Sequence, residues 1–255
     1  MYRIRKFTSC YARLFRAEEH LESFEEEMRA FLHTNPLEIV REVNRDGTQY
    51  VYRVRENARF PLRLCVIVGD CLHNLRSCLD HLAWEMAGRP LGRKAERIEF
   101  PIFDDRADYP KAVRRKLAGV PDRAKVIIER LQPYHAFDAA ISFGPPLLSV
   151  LYHLSNFDKH RHIHIVGTLP RHLYGTFEEM PLEQKFSEGH IAKDGREVAR
   201  FTFARPNVDM DMTVDWVSCF LVHDLNGKLV PISYLRGTFQ FIRDHILPQF
   251  HWLDD

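Results

Sequence analysis

The 255-residue sequence lacks several features that would assign its class at once. No run of about 18 apolar residues is present, so no membrane-spanning helix is expected. Its five cysteines include no CxxC pair, which predicts reduced, mostly buried thiols rather than a disulfide framework. Walker loops, zinc ribbons and GxGxxG or GxSxG motifs are also missing, so nucleotide-fold and acyl-transfer functions have no support.

An excess of either charge is missing as well, because 36 basic residues nearly balance 35 acidic ones and the net charge is +1. The overall charge therefore does not require a nucleic-acid partner. A local basic cluster around Arg114, Arg115 and Lys116 can still hold an anionic one. The N-terminal segment MYRIRKFTSCYARLF lacks the apolar stretch and cleavage site of a secretory signal. We expect a cytoplasmic protein that does not enter a membrane.

Hydrophobic periodicity is the strongest structural signal in the chain. Apolar residues recur at spacings of three and four, which predicts four long amphipathic helices over residues 8–34, 62–88, 145–160 and 231–248. Shorter helices are expected near residues 110–117 and 121–131.

Turn and strand signals lie between these helices. Asp46-Gly47, flanked by β-branched and aromatic runs, predicts a β-hairpin before the second long helix. Residues 162–223 alternate in the manner of antiparallel strands, and RIEFPIF (97–103) is expected to be extended. The prediction is therefore an α+β fold in one domain over residues 1–255, a four-helix core with β elements inserted in its connections.

The second long helix carries a dense set of polar side chains, namely Asp70, His73, Asn74, Arg76, Ser77, Asp80 and His81. A solvated helix face with an Arg76–Asp80 ion pair is the simplest explanation. A second dense set ends the third long helix and comprises Asn156, Asp158, Lys159, His160 and Arg161. If the two helices are neighbours, titratable groups converge in one cleft, as catalysis or anion binding requires.

Arg76 and His81 form an R-x4-H pattern. It resembles the signature of the HEPN superfamily, helical-bundle proteins that include metal-independent ribonucleases of toxin and defence systems. The resemblance implies that His81 transfers a proton and Arg76 binds the phosphate, with the other polar residues of both sets in support. It further implies RNA as partner, a homodimer and neither metal nor cofactor. The segments GDCLHNLRSCLDHLAW and LSNFDKHR also resemble a group of uncharacterised bacterial proteins, which implies no function.

Two alternatives stay open beside the ribonuclease. In the first, the polar residues form a structural network or hold an anionic partner, and the protein is not an enzyme. In the second, a metal-dependent hydrolase uses Asp70, His73, His81, Asp158 and His160 as ligands. A further R-x4-H match, Arg130 to His135, contains Pro133 and therefore cannot lie within a helix interior.

Overall fold

The computed structural model describes residues 6–92, 97–138, 146–160, 166–176, 179–187, 193–206, 211–222 and 228–253, with only the backbone for 158–160, 166–176, 211–222 and 228–229. Helices and antiparallel strands both occur there, which confirms the α+β prediction. The helices are α1 (Thr8–His33), α2 (Leu62–Met86), α3 (Tyr109–Lys116), α4 (Asp122–Arg130), α5 (Pro133–Asp138), α6 (Leu147–His160) and α7 (Ser233–Phe241). The strands are β1 (Leu37–Val43), β2 (Gln49–Glu56), β3 (Val166–Thr176), β4 (Glu183–Phe186), β5 (Glu197–Thr202), β6 (Asp211–Val222) and β7 (Lys228–Pro231).

The chain divides into two compact units. The first comprises Met1–Phe24, Cys65–His164 and Ser233–Asp255, and it contains most of the helical residues. The second comprises Glu25–Leu64 and Ile165–Ile232, and it contains all seven described strands. The single domain and the four-helix core stay predictions.

The two longest helices form where the apolar seams predict them. In α1 the buried seam residues are Cys10, Leu14, Ala17, Leu21, Phe24 and Met28. In α2 they are Val68, Leu72, Leu75, Leu79, Leu82 and Met86. Each seam returns to the same side of its helix every three or four residues, so the burial of apolar area stabilises both helices.

The second unit contains two antiparallel sheets, one in the order β1-β2-β5-β4 and one in the order β3-β6-β7. The predicted hairpin is β1–β2, and Gly47 takes a φ of 73° in its turn, a conformation that glycine adopts without strain. Tyr52 and Phe201 pack edge to face at 6.0 Å across β2 and β5. The first sheet thus has its own apolar cluster.

Three elements differ from the sequence-based predictions. The short helix α5 was not expected, and Pro133 is its first residue, where proline is tolerated. The last helix leaves α geometry at Phe241, followed by a π-helical turn at Ile242–Ile246 and a 3-10 segment at Leu247–Leu253. Pro248 lacks the backbone donor that a continuing α-helix needs. Residues 97–103 pair with no strand among the described residues.

Four cysteines, Cys10, Cys65, Cys71 and Cys78, are free and buried, as predicted, and Cys219 has no described side chain. Burial raises the pKa of the Cys10 and Cys71 thiols to about 12. In the part of the chain that the structure describes, no helix is long and apolar enough to cross a membrane.

Candidate functional site

A buried segment beside α2, residues 98–103, explains two of the polar residues on that helix. The Arg76 guanidinium donates from Nη2 to the Phe100 carbonyl at 2.7 Å, and the Asp80 carboxylate accepts from the Phe100 backbone N–H at 3.0 Å. The two side chains also bind each other, at 2.8 Å from Nη2 to Oδ1 and 3.3 Å from Nε to Oδ2. Arg76 and Asp80 therefore satisfy both backbone polar groups of Phe100, as a neighbouring strand would.

Gln132 likewise satisfies backbone polar groups at the other end of this segment. Its side-chain oxygen accepts from the Phe103 backbone N–H at 3.0 Å, and its Nε2 donates to the Pro101 carbonyl at 2.9 Å. The next residue, Asp104, reaches α6, where its carboxylate lies 2.6 Å from Nε2 of His153. Side chains from α2 and from the connection between α4 and α5 thus replace the strand partner that the segment lacks.

Arg76 is consequently buried and engaged, with only 8% of its side chain exposed. Asn74 is buried as well, donating to the Asp70 carbonyl at 2.8 Å and accepting from Arg13 at 3.4 Å. A solvated helix face is therefore wrong for Arg76 and Asn74. One guanidinium nitrogen of Arg76, Nη1, is buried and forms no hydrogen bond with any described residue.

His81 lines a cavity of about 540 Å³ in the first unit. The other lining residues are Ser9, Asp80, Trp84, Glu85, Arg89 and Ile98. His81 is half-buried, and no described residue forms a hydrogen bond with its ring. Burial lowers the pKa of the His81 imidazole below 6.5, and the nearby positive charge of Arg13 lowers it further, while Asp80 and Glu85 oppose this. A neutral imidazole without a partner is able to accept a proton or a hydrogen bond from a ligand.

The wall next to His81 combines an aromatic ring with an ion pair between a buried carboxylate and an exposed guanidinium. Glu85 has only 3% of its side chain exposed, and it accepts hydrogen bonds from Ser9 at 3.2 Å and from Arg89 at 2.8 Å. Trp84 donates from its ring nitrogen to the Pro90 carbonyl at 3.0 Å, which holds the ring in one orientation. The cavity is thus lined by the Trp84 ring, the His81 imidazole and the Arg89 guanidinium. These residues come from the last turns of α2 and the residues just after it.

The other polar residues of α2 point elsewhere. Asp70 and His73 are exposed, and the half-buried Ser77 hydroxyl lies 3.4 Å from Nε2 of His73. Neither Asp70, His73 nor Ser77 is among the residues that line the cavity. Of the predicted α2 residues, the structure therefore brings Asp80 and His81 together at the cavity, with Arg76 behind Asp80.

The second predicted set is described only at its start. Asn156 is half-buried and forms no hydrogen bond with any described residue, including those of α2. The side chains of Asp158, Lys159 and His160 lie outside the described residues, as does the whole of Arg161. The predicted convergence of this set with residues 70–81 stays a prediction.

The second R-x4-H match lies elsewhere in the same unit. Nε2 of His135 is 2.9 Å from the Glu129 carboxylate, which also accepts from the Tyr134 hydroxyl at 3.0 Å. Unlike His81, the His135 ring therefore has a fixed partner. No group of three His, Cys, Asp or Glu side chains suited to a metal ion occurs among the described residues.

Sequence reasoning missed Ser9, Arg13, Glu85 and Arg89. A signal for Glu85 was present, because it follows His81 at a spacing of four and so shares its side of α2, whereas Arg89 lies beyond the end of that helix. No comparable signal exists for Ser9 and Arg13, which come from a different helix. Comparison with protein-family models, curated proteins and solved structures finds no match for this chain.

Proposed function

We propose that the protein is a metal-independent endoribonuclease of the HEPN type, with His81 as the proton acceptor. One observation carries the proposal: an imidazole without a hydrogen-bond partner among the described residues faces a cavity of about 540 Å³. The lowered pKa of His81 keeps the ring neutral near pH 7, the form that a general base requires.

The proposed reaction is an internal transesterification of RNA. Neutral His81 takes the proton of a ribose 2′-hydroxyl, and the 2′-oxygen attacks the adjacent phosphorus. The bond from phosphorus to the 5′-oxygen breaks, leaving a 2′,3′-cyclic phosphate and a 5′-hydroxyl that receives its proton from imidazolium or water. No oxidant, reductant or metal enters this balance.

The side chains that we expect to bind the phosphate differ from Arg76, the one that the motif alone suggests. Because only 8% of the Arg76 side chain is exposed, we assign phosphate contact to Arg13, which lies near His81, and to Arg89, which pairs with Glu85 but has 40% of its side chain exposed. The fixed Trp84 ring offers a stacking surface for a base. A homodimer and a cytoplasmic location belong to the same proposal, because the family resemblance and the sequence composition imply them.

The experiment is cleavage of a labelled RNA by the full-length protein in excess EDTA. We expect cleavage by the wild type, and loss of cleavage in His81→Ala without a change in melting temperature. His73→Ala is the matched control, because His73 is an exposed histidine on the same helix away from the cavity. Cleavage that requires added Zn²⁺ or Mn²⁺ would overturn the proposal in favour of a metal-dependent hydrolase. RNA that is bound but never cut would favour a binding protein instead.

A further inference from the structure

One short stretch of this nearly neutral protein carries a clear excess of positive charge. Residues 106–130 contain eight Lys and Arg residues against three Asp and Glu residues, a net charge of +5. Because the whole chain carries +1, the remaining residues carry −4. This stretch forms α3 and α4, which lie in the same unit as the His81 cavity.

Four arginines of this stretch are exposed and have no ion-pair partner among the described residues, namely Arg114, Arg115, Arg123 and Arg130. The neighbouring lysines differ, since Lys111 pairs with Asp108 and Lys125 pairs with Asp122. The guanidinium of Arg123 instead lies over the Trp252 ring, 4.3 Å from its centroid. We call these four residues the α3–α4 arginine surface.

Helix stability accounts for only part of this pattern. Arg114 and Arg115 lie in the last turn of α3, where a cation interacts favourably with the helix dipole. Arg123 lies in the first turn of α4, where the dipole disfavours a cation. Arg123 and Arg130 are seven residues apart, so both face the same side of α4, while Ala124 and Ile128 are buried. Helix stability does not explain an arginine at that helix start. The contact with the Trp252 ring holds Arg123 there, and the edge of the stacked guanidinium can still bind an anion.

The α3 helix is joined to the wall of the His81 cavity. The Lys116 carbonyl, at the end of α3, accepts from the Glu99 backbone N–H at 3.3 Å, and the Lys116 ammonium pairs with the Glu99 carboxylate. Glu99 adjoins Ile98, which lines the cavity, and it lies 3.9 Å from Nη2 of Arg76. The C-terminal end of α3 is therefore joined to the segment that lines the cavity.

We propose that the α3–α4 arginine surface binds the phosphate backbone of single-stranded RNA, independently of base sequence, next to the His81 cavity. This inference rests on the proposed function for the identity of the polyanion. Guanidinium groups bind phosphate oxygens through paired hydrogen bonds, and such contacts position a strand without reading its bases. Each contact releases a counterion, so binding weakens as salt is raised.

The test uses a fluorescent 2′-O-methyl oligouridine, which has no free 2′-hydroxyl and so cannot be cut. Its affinity for the full-length protein is measured by anisotropy at several salt concentrations. Four phosphate contacts predict a slope of log K against log salt of about −3. The double variant Arg114→Gln/Arg115→Gln should reduce that slope by about 1.4, since each single-strand contact contributes about 0.7.

The matched control is Arg29→Gln/Arg45→Gln, which removes two exposed arginines of the second unit that have no described ion-pair partner. It lowers the net charge equally and should leave the slope unchanged. Equal weakening by both double variants, no binding by the wild type, or binding only to anionic phospholipid vesicles would each overturn the inference.

Failure of the inference is distinguishable from failure of the proposed function. His81→Ala should bind the uncleavable oligonucleotide with unchanged affinity. Binding that depends on Arg114 and Arg115, without any RNA cleavage, would support the α3–α4 arginine surface and contradict the ribonuclease proposal. If the wild type cleaves RNA and Arg114→Gln/Arg115→Gln does not change the KM, the ribonuclease proposal is supported and the α3–α4 arginine surface is contradicted.

Discussion

Arg76 and Asp80, one turn apart on α2, bind the carbonyl and the N–H of the same residue, Phe100, at 2.7 Å and 3.0 Å. From the sequence alone, the Arg76–Asp80 ion pair is expected on the helix surface. In the structure, its two side chains instead satisfy the backbone hydrogen bonds of Phe100, as a neighbouring strand would. Arg76, the arginine of the R-x4-H pattern, therefore has a structural role that does not involve binding a phosphate. This relationship separates Arg76, which holds the cavity wall, from His81, which faces the cavity.

Removal of Asp80 should destabilise the fold strongly. Asp80→Ala leaves the buried Arg76 guanidinium and the Phe100 N–H without their partner, and we expect a loss of about 3 kcal/mol in the free energy of unfolding. Urea unfolding followed by circular dichroism measures the loss. Asp122→Ala is the control, because it removes an exposed ion pair with Lys125 and a carboxylate in the first turn of α4, and it should cost much less unfolding free energy than Asp80→Ala. Equal stability of the two variants would contradict the structural role of Asp80.

Gln132 should matter for the same physical reason. Gln132→Leu leaves the Phe103 N–H and the Pro101 carbonyl unpaired in a buried place, and we expect a loss of about 2 kcal/mol or more in unfolding free energy. The comparison variant is Gln249→Leu, which removes an exposed glutamine bonded to one carbonyl, that of His245. A Gln132→Leu protein as stable as the wild type would mean that the 98–103 segment does not depend on this side chain.

The activity of the proposed ribonuclease should rise with pH through the pKa of His81. The neutral ring is the active base, and its pKa lies below 6.5, so the midpoint of the acid limb of kcat/KM should also lie below 6.5. Arg13→Gln removes a positive charge that disfavours the imidazolium, so the midpoint should move to higher pH. NMR titration of the His81 ring checks the pKa independently, and a value above 6.5 in the wild type would refute the prediction.

Substitution of Gly119 by alanine should destabilise the protein more than the same substitution of Gly88. Both have a φ near +80°, but a Cβ at Gly119 would lie 3.1 Å from the Ala87 carbonyl oxygen, whereas nothing lies within 4 Å of a Cβ at Gly88. Gly88→Ala should cost about 1 kcal/mol in backbone strain. Gly119→Ala adds a contact with rigid backbone and should lower the melting temperature further. Melting curves of the two variants suffice, and equal melting temperatures would argue against the close approach.

Local patterns predicted much of the fold because their causes are local. The seams of α1 and α2 follow from a period of 3.6 residues, and the β1–β2 hairpin follows from the turn chemistry of Asp46-Gly47. The π-helical turn at Ile242–Ile246 has no such signature. The partners of residues 98–103 were also unpredictable, since Arg76 and Gln132 are 24 and 31 residues away from the groups they bind.

The sequence by itself determined the α+β class, the longest helices and the histidine that marks the candidate site. Periodicity and turn residues act between neighbours in the chain, so they can be recognised without a structure. Only the tertiary structure decided that Arg76 is buried against Phe100, and that Ser9, Glu85 and Arg89 surround the cavity of His81. Burial depends on which distant segment packs against a helix face, and the spacing of residues along the chain does not contain that information.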